Sequence, residues 1–222
     1  MTDLEKEAVV LYPINLHIEG LPCLVIGGGH IALRKIRRLL EEKAQVTVLA
    51  PEVIAPIFQL NKEKKLHWEK GEYEPGMAHE YRLVMTACGV QAVAEAVYQE
   101  SLTAHFLYNA ADFPSLGNCH LPASFKKGDI RVTVSTEGRS PAISRYLKEW
   151  LMEKFPPHLD EWLDRVGVLR QEMKQDFQDS RQREAFWHRA FTQEVMQLVT
   201  EGQLDEAEEC VRHAVGCIGT ES

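Results

Sequence analysis

The chain has 222 residues, of which 45% are hydrophobic and 26% are charged, and its formal net charge is −8. This length and composition indicate a globular protein with one large or two modest domains. An acidic chain is a poor nucleic-acid binder, and no apolar run approaches the roughly 20 residues that span a bilayer, so we expect neither nucleic acid nor a membrane as a partner.

The first segment, Met1–Val10, carries acidic residues and lacks both the basic start and the apolar stretch of a signal peptide. The cysteines are scattered and contain no C-x-x-C pair, which argues against a disulfide framework and for reduced thiols. They are Cys23, Cys88, Cys119, Cys210 and Cys217. Together these features favour a cytoplasmic protein.

The N-terminal half alternates between strand and helix patterns. Cys23–Gly27 reads as a buried parallel strand, and Gly29–Glu42 reads as a helix. We expect four residues of this helix to face inward: Ile31, Ile36, Leu39 and Leu40. Further strands are predicted at Gln45–Ala50, Leu66–Glu69, Arg82–Ala87 and Phe106–Ala110, with a short segment at Pro51–Leu60 and a helix at Val90–Leu102. This alternation predicts the α/β class, with a Rossmann-like, doubly wound parallel sheet.

Three glycines join the first strand to the first helix. Their spacing fits G-x-G-x-x-[GA], with Gly27 at the tight turn, Gly28 next to it, Gly29 where backbone approaches phosphate, and Ala32 where the helix packs on its strand. A helix that begins near Gly29 directs free N–H groups and its positive dipole end at the phosphates. The pattern therefore predicts a dinucleotide site, and the alternative is a glycine-rich turn without a ligand.

The end of the second strand is the usual place for an acid that binds the adenosine ribose. Here the sequence reads Leu49-Ala50-Pro51-Glu52, and Glu52 is the only acid within reach. An acid after Pro51 is equally typical of the first turn of a helix, so both interpretations stand. No basic residue at this corner argues for a 2′-phosphate, which favours NAD over NADP.

A second polar group follows the last predicted strand, at Asn109–Asp112. Ligands of open α/β sheets bind outside the carboxyl ends of the strands, which places Asp112 at the mouth of the cleft. A carboxylate there can accept a proton or hold a metal, and the alternative is an Asx-turn residue. Cys119 and His120 are adjacent on an extended segment and point to opposite faces, which disfavours a metal pair.

The pattern changes after Leu121. Leu121–Ser135 predicts a β-hairpin around Lys126–Asp129, and Ser140 is the N-cap of a helix with Pro141 at its first position. Phe155-Pro156-Pro157 stops that helix. Further helices are predicted at Leu159–Met173, Arg181–Thr200 and Leu204–Val215. We expect three parts: a nucleotide-binding domain at 1–111, a small α+β region at 112–150 and an all-α domain at 151–222.

Charge is unevenly spread along the chain. Residues 151–222 hold 15 acids against 8 bases, whereas residues 126–148 hold six bases against two acids. The hydroxyl-rich loop Ser135–Ser140 lies in this basic window and ends at a helix start, so we expect it to attract a polyanion. The alternative is an ordinary solvated face. Cys210, His213 and Cys217 share a face of the last helix, where packing explains them more readily than a metal.

These motifs occur in one order, and the chain resembles the precorrin-2 dehydrogenase and sirohydrochlorin ferrochelatase family, which is the NAD-binding part of siroheme synthase. The resemblance is supported by Gly27-Gly28-Gly29-x-Ile-Ala-x-Arg-Lys, Asn109–Asp112, Leu121-Pro122-Ala123 and Ser135-Thr136-x-Gly-x-Ser-Pro-Ala. It implies oxidation of precorrin-2 to sirohydrochlorin with NAD, on a homodimer whose central region dimerises. Some members also insert ferrous iron to give siroheme, and the sequence leaves that activity open.

The resemblance also implies roles for single residues. His30 and Ile31 match nucleotide contacts after the glycines, and Pro51 and Glu52 match contacts after the second strand. Asp112 matches a functionally important aspartate, for which we expect a catalytic role. A precorrin-2 substrate carries eight carboxylates, so we expect it to contact the basic window through Ser135, Thr136, Arg139, Ser140 and Arg145. Two alternatives stand beside this function: an NAD-sensing interaction protein without turnover, and a chelatase without redox activity.

Overall fold

The structure is a computed structural model, and it describes residues 10–176 and 179–216. The chain divides into two compact units, Met1–Leu121 and Pro122–Ser222. The finer division into parts at 1–111, 112–150 and 151–222 stays a prediction. None of the described helices is both long enough and apolar enough to cross a membrane.

The first unit contains one five-stranded sheet in which every neighbouring pair of strands is parallel. Its elements, in chain order, are β1 (Pro22–Ile26), α1 (His30–Glu41), β2 (Gln45–Leu49), α2 (Ala55–Lys62), β3 (His67–Glu69), β4 (Leu83–Thr86), α3 (Gln91–Ala104), β5 (Leu107–Ala110) and a 3-10 turn (Pro114–Leu116). The strand order β3-β2-β1-β4-β5 places β1 at the centre. The predicted Rossmann-like sheet is confirmed.

Strand β1 is apolar along its whole length because both of its faces are covered. Cys23 and Val25 belong to the core cluster that includes α1, whereas Leu24 and Ile26 belong to the cluster that includes α3. This two-sided burial is the reason for a continuous apolar run rather than an alternating pattern.

Helix α1 packs on the sheet through Ala32, Leu33, Ile36 and Leu39, all of which are buried. The prediction that Ile31 faces the core is wrong, since its side chain is 40% exposed. Ala32 and Leu33 occupy the inward face of the first turn, which leaves Ile31 on the outer side.

The outer edge of β5 is covered by the segment that follows it. The Asn118 side chain accepts a hydrogen bond from the Tyr108 N–H at 2.7 Å and donates one to the Phe106 carbonyl at 3.2 Å. The Cys119 N–H donates to the Tyr108 carbonyl at 2.9 Å. These bonds satisfy backbone groups that an exposed edge strand leaves unpaired.

The second unit begins with an antiparallel hairpin and continues as helices. Its elements are β6 (Ala123–Lys127), β7 (Ile130–Val134), α4 (Pro141–Glu153), α5 (Leu159–Asp176), α6 (Ser180–Ala190), α7 (Gln193–Glu201) and α8 (Leu204–Gly216). The predicted hairpin is confirmed, and so is the cap of α4, where the Ser140 hydroxyl accepts from the Ile143 N–H at 3.3 Å.

The prediction of one helix over Arg181–Thr200 is wrong, because the structure has two. Helix α6 ends at Ala190, and Thr192 caps the start of α7 by accepting a hydrogen bond from the Val195 N–H at 3.2 Å. Between them, the ring of Phe191 stacks on Trp187 with centroids 5.4 Å apart. The break lets both helices pack on one core around the fully buried Trp162 and Phe186.

Candidate coenzyme and substrate sites

The three consecutive glycines after β1 have different neighbours. Gly27 has a φ of 130°, and a Cβ on it would lie 2.4 Å from the Ala87 carbonyl oxygen. A Cβ on Gly28 would lie 2.0 Å from the Glu52 carbonyl oxygen, whereas one on Gly29 would meet nothing within 4 Å. Gly27 and Gly28 are therefore needed where loops cross, and Gly29 borders open space.

That open space adjoins the start of α1. Gly29 is the N-cap of the helix and supplies no side-chain cap, and the first turn contains no acidic residue. The first N–H groups and the positive end of the helix dipole thus face an opening that suits a phosphate. His30 and Ile31 are exposed beside it. These residues fit the pyrophosphate of a dinucleotide.

The loop after β2 is tied to the same glycines. The Ile54 N–H donates to the Gly28 carbonyl at 2.9 Å, and the Gly27 N–H donates to the Leu49 carbonyl at 3.0 Å. Pro51 and Glu52 are exposed in this loop. Since α2 begins only at Ala55, the interpretation of Glu52 as a first-turn helix acid is wrong. Its position at the carboxyl end of β2 is the position of a ribose-binding acid.

Asp112 lies just beyond the carboxyl end of β5, and its side chain is exposed. Its Oδ2 accepts a hydrogen bond from the Gly89 N–H at 2.9 Å, and Gly89 follows β4. The carboxylate therefore joins the loops after two neighbouring strands at the ligand-binding edge of the sheet. This bond differs from the Asx-turn alternative, in which the side chain would bond the backbone of its own turn.

A half-buried lysine, Lys35, also lies near this edge, and the sequence assigns it no role. The Lys35 Nζ donates to the Asn109 Oδ1 at 2.6 Å, and the Asn109 Nδ2 donates to the Cys119 carbonyl at 2.8 Å. The bonds connect α1 with β5 and with the segment that leaves it. Helical periodicity is the signal that places Lys35 on the inward face of α1, because it lies three residues after Ala32 and four before Leu39, both of which are buried.

Burial lowers the pKa of Lys35, and the positive charges of Arg38 and Arg34 lower it further. The charges of Asp112 and Cys119 act in the opposite direction. Burial also raises the pKa of the Cys119 thiol, and the nearby Lys35 ammonium partly offsets that shift. An ammonium, a carboxylate and a thiol thus interact at one end of the sheet.

The Lys35 charge gives a testable pH dependence. Its pKa is lower in the folded chain than in the unfolded chain, so the unfolded state binds more protons between the two values. Its contribution to stability therefore rises with pH in the alkaline window below about 10.4, the ordinary lysine value. We expect Lys35→Met to remove this rise, so that the unfolding free energy of the wild type increases relative to that of the variant as the pH is raised. Urea unfolding from neutral to alkaline pH measures it, and parallel curves would contradict it.

In the second unit, hydroxyl groups hold the loop before α4. The Thr136 Oγ1 accepts from the Ser140 N–H at 3.2 Å and lies 2.9 Å from the Ser144 Oγ. Ser135 accepts from the Glu137 N–H at 3.3 Å. These bonds shape the loop, while the side chains of Arg139 and Arg145 are exposed. Substrate contacts by Ser135, Thr136, Arg139, Ser140 and Arg145 stay a prediction.

No metal site emerges from the described residues, among which no three His, Cys, Asp or Glu side chains form a cluster that could hold an ion. Cys210 and His213 are exposed on α8, and Cys217 lies outside the described residues. The four described cysteines, Cys23, Cys88, Cys119 and Cys210, are free thiols.

Comparisons with known proteins identify the family of the chain. An NAD(P)-binding family model matches residues 14–123, and the model of the sirohaem synthase dimerisation region matches residues 158–215. Siroheme synthase 3 of Aeromonas hydrophila is 32% identical over 177 residues, and siroheme synthase of Actinobacillus pleuropneumoniae is 30% identical over 200 residues. The chain belongs to the siroheme synthase family, of which it matches the NAD(P)-binding and dimerisation regions.

The matches to these two siroheme synthases cover 80% and 90% of this chain but only 38% and 41% of the relatives, so the chain spans about two fifths of their length. A solved structure titled SirC, precorrin-2 dehydrogenase, has a TM-score of 0.72 at 24% identity, over 90% of this chain and 99% of that one. At that identity the likeness supports the fold.

Proposed function

We propose that the chain oxidises precorrin-2 to sirohydrochlorin with NAD as the electron acceptor, in siroheme biosynthesis. The observation that supports this most is the open space at Gly29, beside the start of α1. Membership of the siroheme synthase family supports the same function. The loop after β4 links that elbow to Asp112, since Ala87 adjoins Gly27 and Gly89 bonds the Asp112 carboxylate.

In this proposal the start of α1, Glu52 and Asp112 each have a defined task. The N–H groups at the start of α1 bind the pyrophosphate, and the Glu52 carboxylate accepts hydrogen bonds from the adenosine ribose. A bound NAD supplies the acceptor for one hydride, that is, one proton with two electrons. Asp112 accepts the second proton that the macrocycle releases, so that the reaction yields NADH, a proton and sirohydrochlorin.

The corner after β2 favours NAD over NADP. Residues 50–56 contain no lysine, arginine or histidine that could pair with a 2′-phosphate, and they contain the Glu52 carboxylate, which repels one. We therefore expect NAD to bind more tightly than NADP.

The substrate proposed here carries eight carboxylates, and the second unit offers basic groups for them. Arg139 and Arg145 are exposed on the loop and first turns of α4, within the window of six bases and two acids at residues 126–148. Guanidinium groups form charge-assisted, bidentate hydrogen bonds with carboxylates. Ser135 and Ser140 add hydroxyl groups on the same loop.

A homodimer is part of the same proposal. Helix α4 exposes large apolar side chains that a monomer leaves in water, among them Ile143, Tyr146 and Trp150. The family model named for dimerisation matches the residues that follow it. The predicted occupant of this face is a second copy of the chain. The cytoplasmic location stays a prediction.

Absorbance at 340 nm tests the activity, with NAD and freshly prepared precorrin-2 under anaerobic conditions. We expect NADH to form only when both are present. Coenzyme binding without NADH formation would instead identify an NAD-sensing protein. Repeating the assay with sirohydrochlorin and ferrous iron as substrates tests chelation, and metal insertion without NAD turnover would identify a chelatase.

A further inference from the structure

A groove in the helical part of the second unit is not used by the proposed reaction. It has a volume of about 600 Å³ and lies between α5 and α6. Its lining consists of Arg170, Lys174, Ser180, Arg183, Glu184, Trp187, His188 and Phe191. Its size is within the roughly 300–1,000 Å³ of small-molecule sites.

The charge of the groove is opposite to that of its surroundings. Residues 151–222 hold 15 acids and 8 lysines or arginines, yet three of those eight bases line the groove with only one acid, Glu184. Elsewhere in these helices, Arg165 and Arg212 pair with nearby carboxylates at 2.6 and 2.7 Å. Arg170 and Lys174 form no ion pair with any side chain that the structure describes. These two cations, one turn apart on α5, are thus available to an anion.

One wall of the groove is aromatic. Trp187 and Phe191 lie one turn apart on and just after α6, and their rings stack at a centroid distance of 5.4 Å and an interplanar angle of 20°. Trp187 also packs against the buried Phe186, which holds its ring in place. Phe191 remains 41% exposed. A flat apolar ligand body gains contact area on such a wall at little cost in side-chain entropy.

We propose that this groove is a second anion site, which binds a planar polycarboxylate of the tetrapyrrole class. The aromatic wall holds the ring, and Arg170 and Lys174 bind peripheral carboxylates. The choice of a tetrapyrrole as the planar body rests on the proposed function, whereas the preference for a flat polyanion rests on the groove alone.

Uroporphyrin I, a stable planar octacarboxylate, is the probe for this site. We expect it to slow amide hydrogen exchange in residues 180–191 of the full chain. In the double variant Arg170→Glu with Lys174→Glu, we expect the uroporphyrin I concentration that gives half-maximal protection to rise about tenfold or more. The matched control is Arg181→Glu with Arg189→Glu, which changes the same net charge on exposed positions of α6 outside the groove. This control should retain the wild-type affinity.

Protection that is absent in the wild type, or equal in both pairs of variants, overturns the proposal. Citrate, a carboxylate without a ring, should give no protection at the same concentration, and equal protection by citrate overturns the requirement for a planar ligand. NADH formation from precorrin-2 is measured on the same proteins and should be unchanged in both pairs. A chain that binds uroporphyrin I in the groove but makes no NADH would refute the proposed function and leave the groove site standing.

Discussion

Gly28→Ala should lower the midpoint of thermal unfolding by about 6–12 °C, the shift expected for about 3 kcal/mol in a chain of this size. The reason is steric, because the added Cβ would lie 2.0 Å from the Glu52 carbonyl oxygen and 2.9 Å from the Val53 Cα. Both atoms are backbone, so relief requires the loop after β2 to move. That loop is held by the bond from the Ile54 N–H to the Gly28 carbonyl.

The neighbouring Gly29→Ala should change the stability little and the NAD affinity strongly. Its Cβ meets nothing within 4 Å, and the only expected cost is a poorer N-cap, about 1 kcal/mol or 2–4 °C. Its methyl group would however occupy the space that a pyrophosphate must enter. We therefore expect NAD affinity to fall by about tenfold or more while the fold persists.

Calorimetry measures both effects, as unfolding transitions and as NAD titrations of the folded proteins. Gly167→Ala is the matched control, because this α5 glycine also has open space around its Cβ position and lies outside the coenzyme site. It should bind NAD as the wild type does. Wild-type NAD affinity in Gly29→Ala would contradict the phosphate site at this elbow.

The elbow could be predicted from sequence because its signal is local. An apolar strand, three glycines and a helical period occur within 20 residues, and Gly27 and Ala32 have the roles that the motif assigns. The steric need for glycine at Gly28 cannot be predicted from the local sequence, since it comes from the Glu52 carbonyl, 24 positions away in the loop after β2. Only the sheet order brings these two loops together.

The same distinction separates the correct predictions from the wrong ones elsewhere in the chain. The sequence predicts the cap at Ser140 because Pro141 follows it, whereas Thr192 interrupts a continuous helical pattern without glycine or proline. The break between α6 and α7 allows both helices to pack on the core around Trp162 and Phe186, a long-range requirement that the local pattern does not contain. Similarly, the Lys35 bond to Asn109 spans 74 positions, and no local pattern links them.

Asp112→Asn should reduce the rate of NADH formation about a hundredfold or more, within the range of a lost general base, with NAD affinity nearly unchanged. Asparagine keeps an oxygen that can accept from the Gly89 N–H, so the bond between the loops after β4 and β5 is preserved. What is lost is the negative charge and the capacity to accept a proton. Anaerobic kinetics at 340 nm with saturating NAD measure the change.

Asp112→Ala separates the two contributions of this carboxylate. It removes the charge and also the hydrogen bond at 2.9 Å, which adds a stability cost of about 1 kcal/mol. If Asp112 accepts the proton, both variants lose kcat to a similar extent, and only the alanine variant unfolds at lower temperature. If asparagine restores turnover, the carboxylate acts by holding the Gly89 loop, and the base must be sought among other groups at this edge of the sheet.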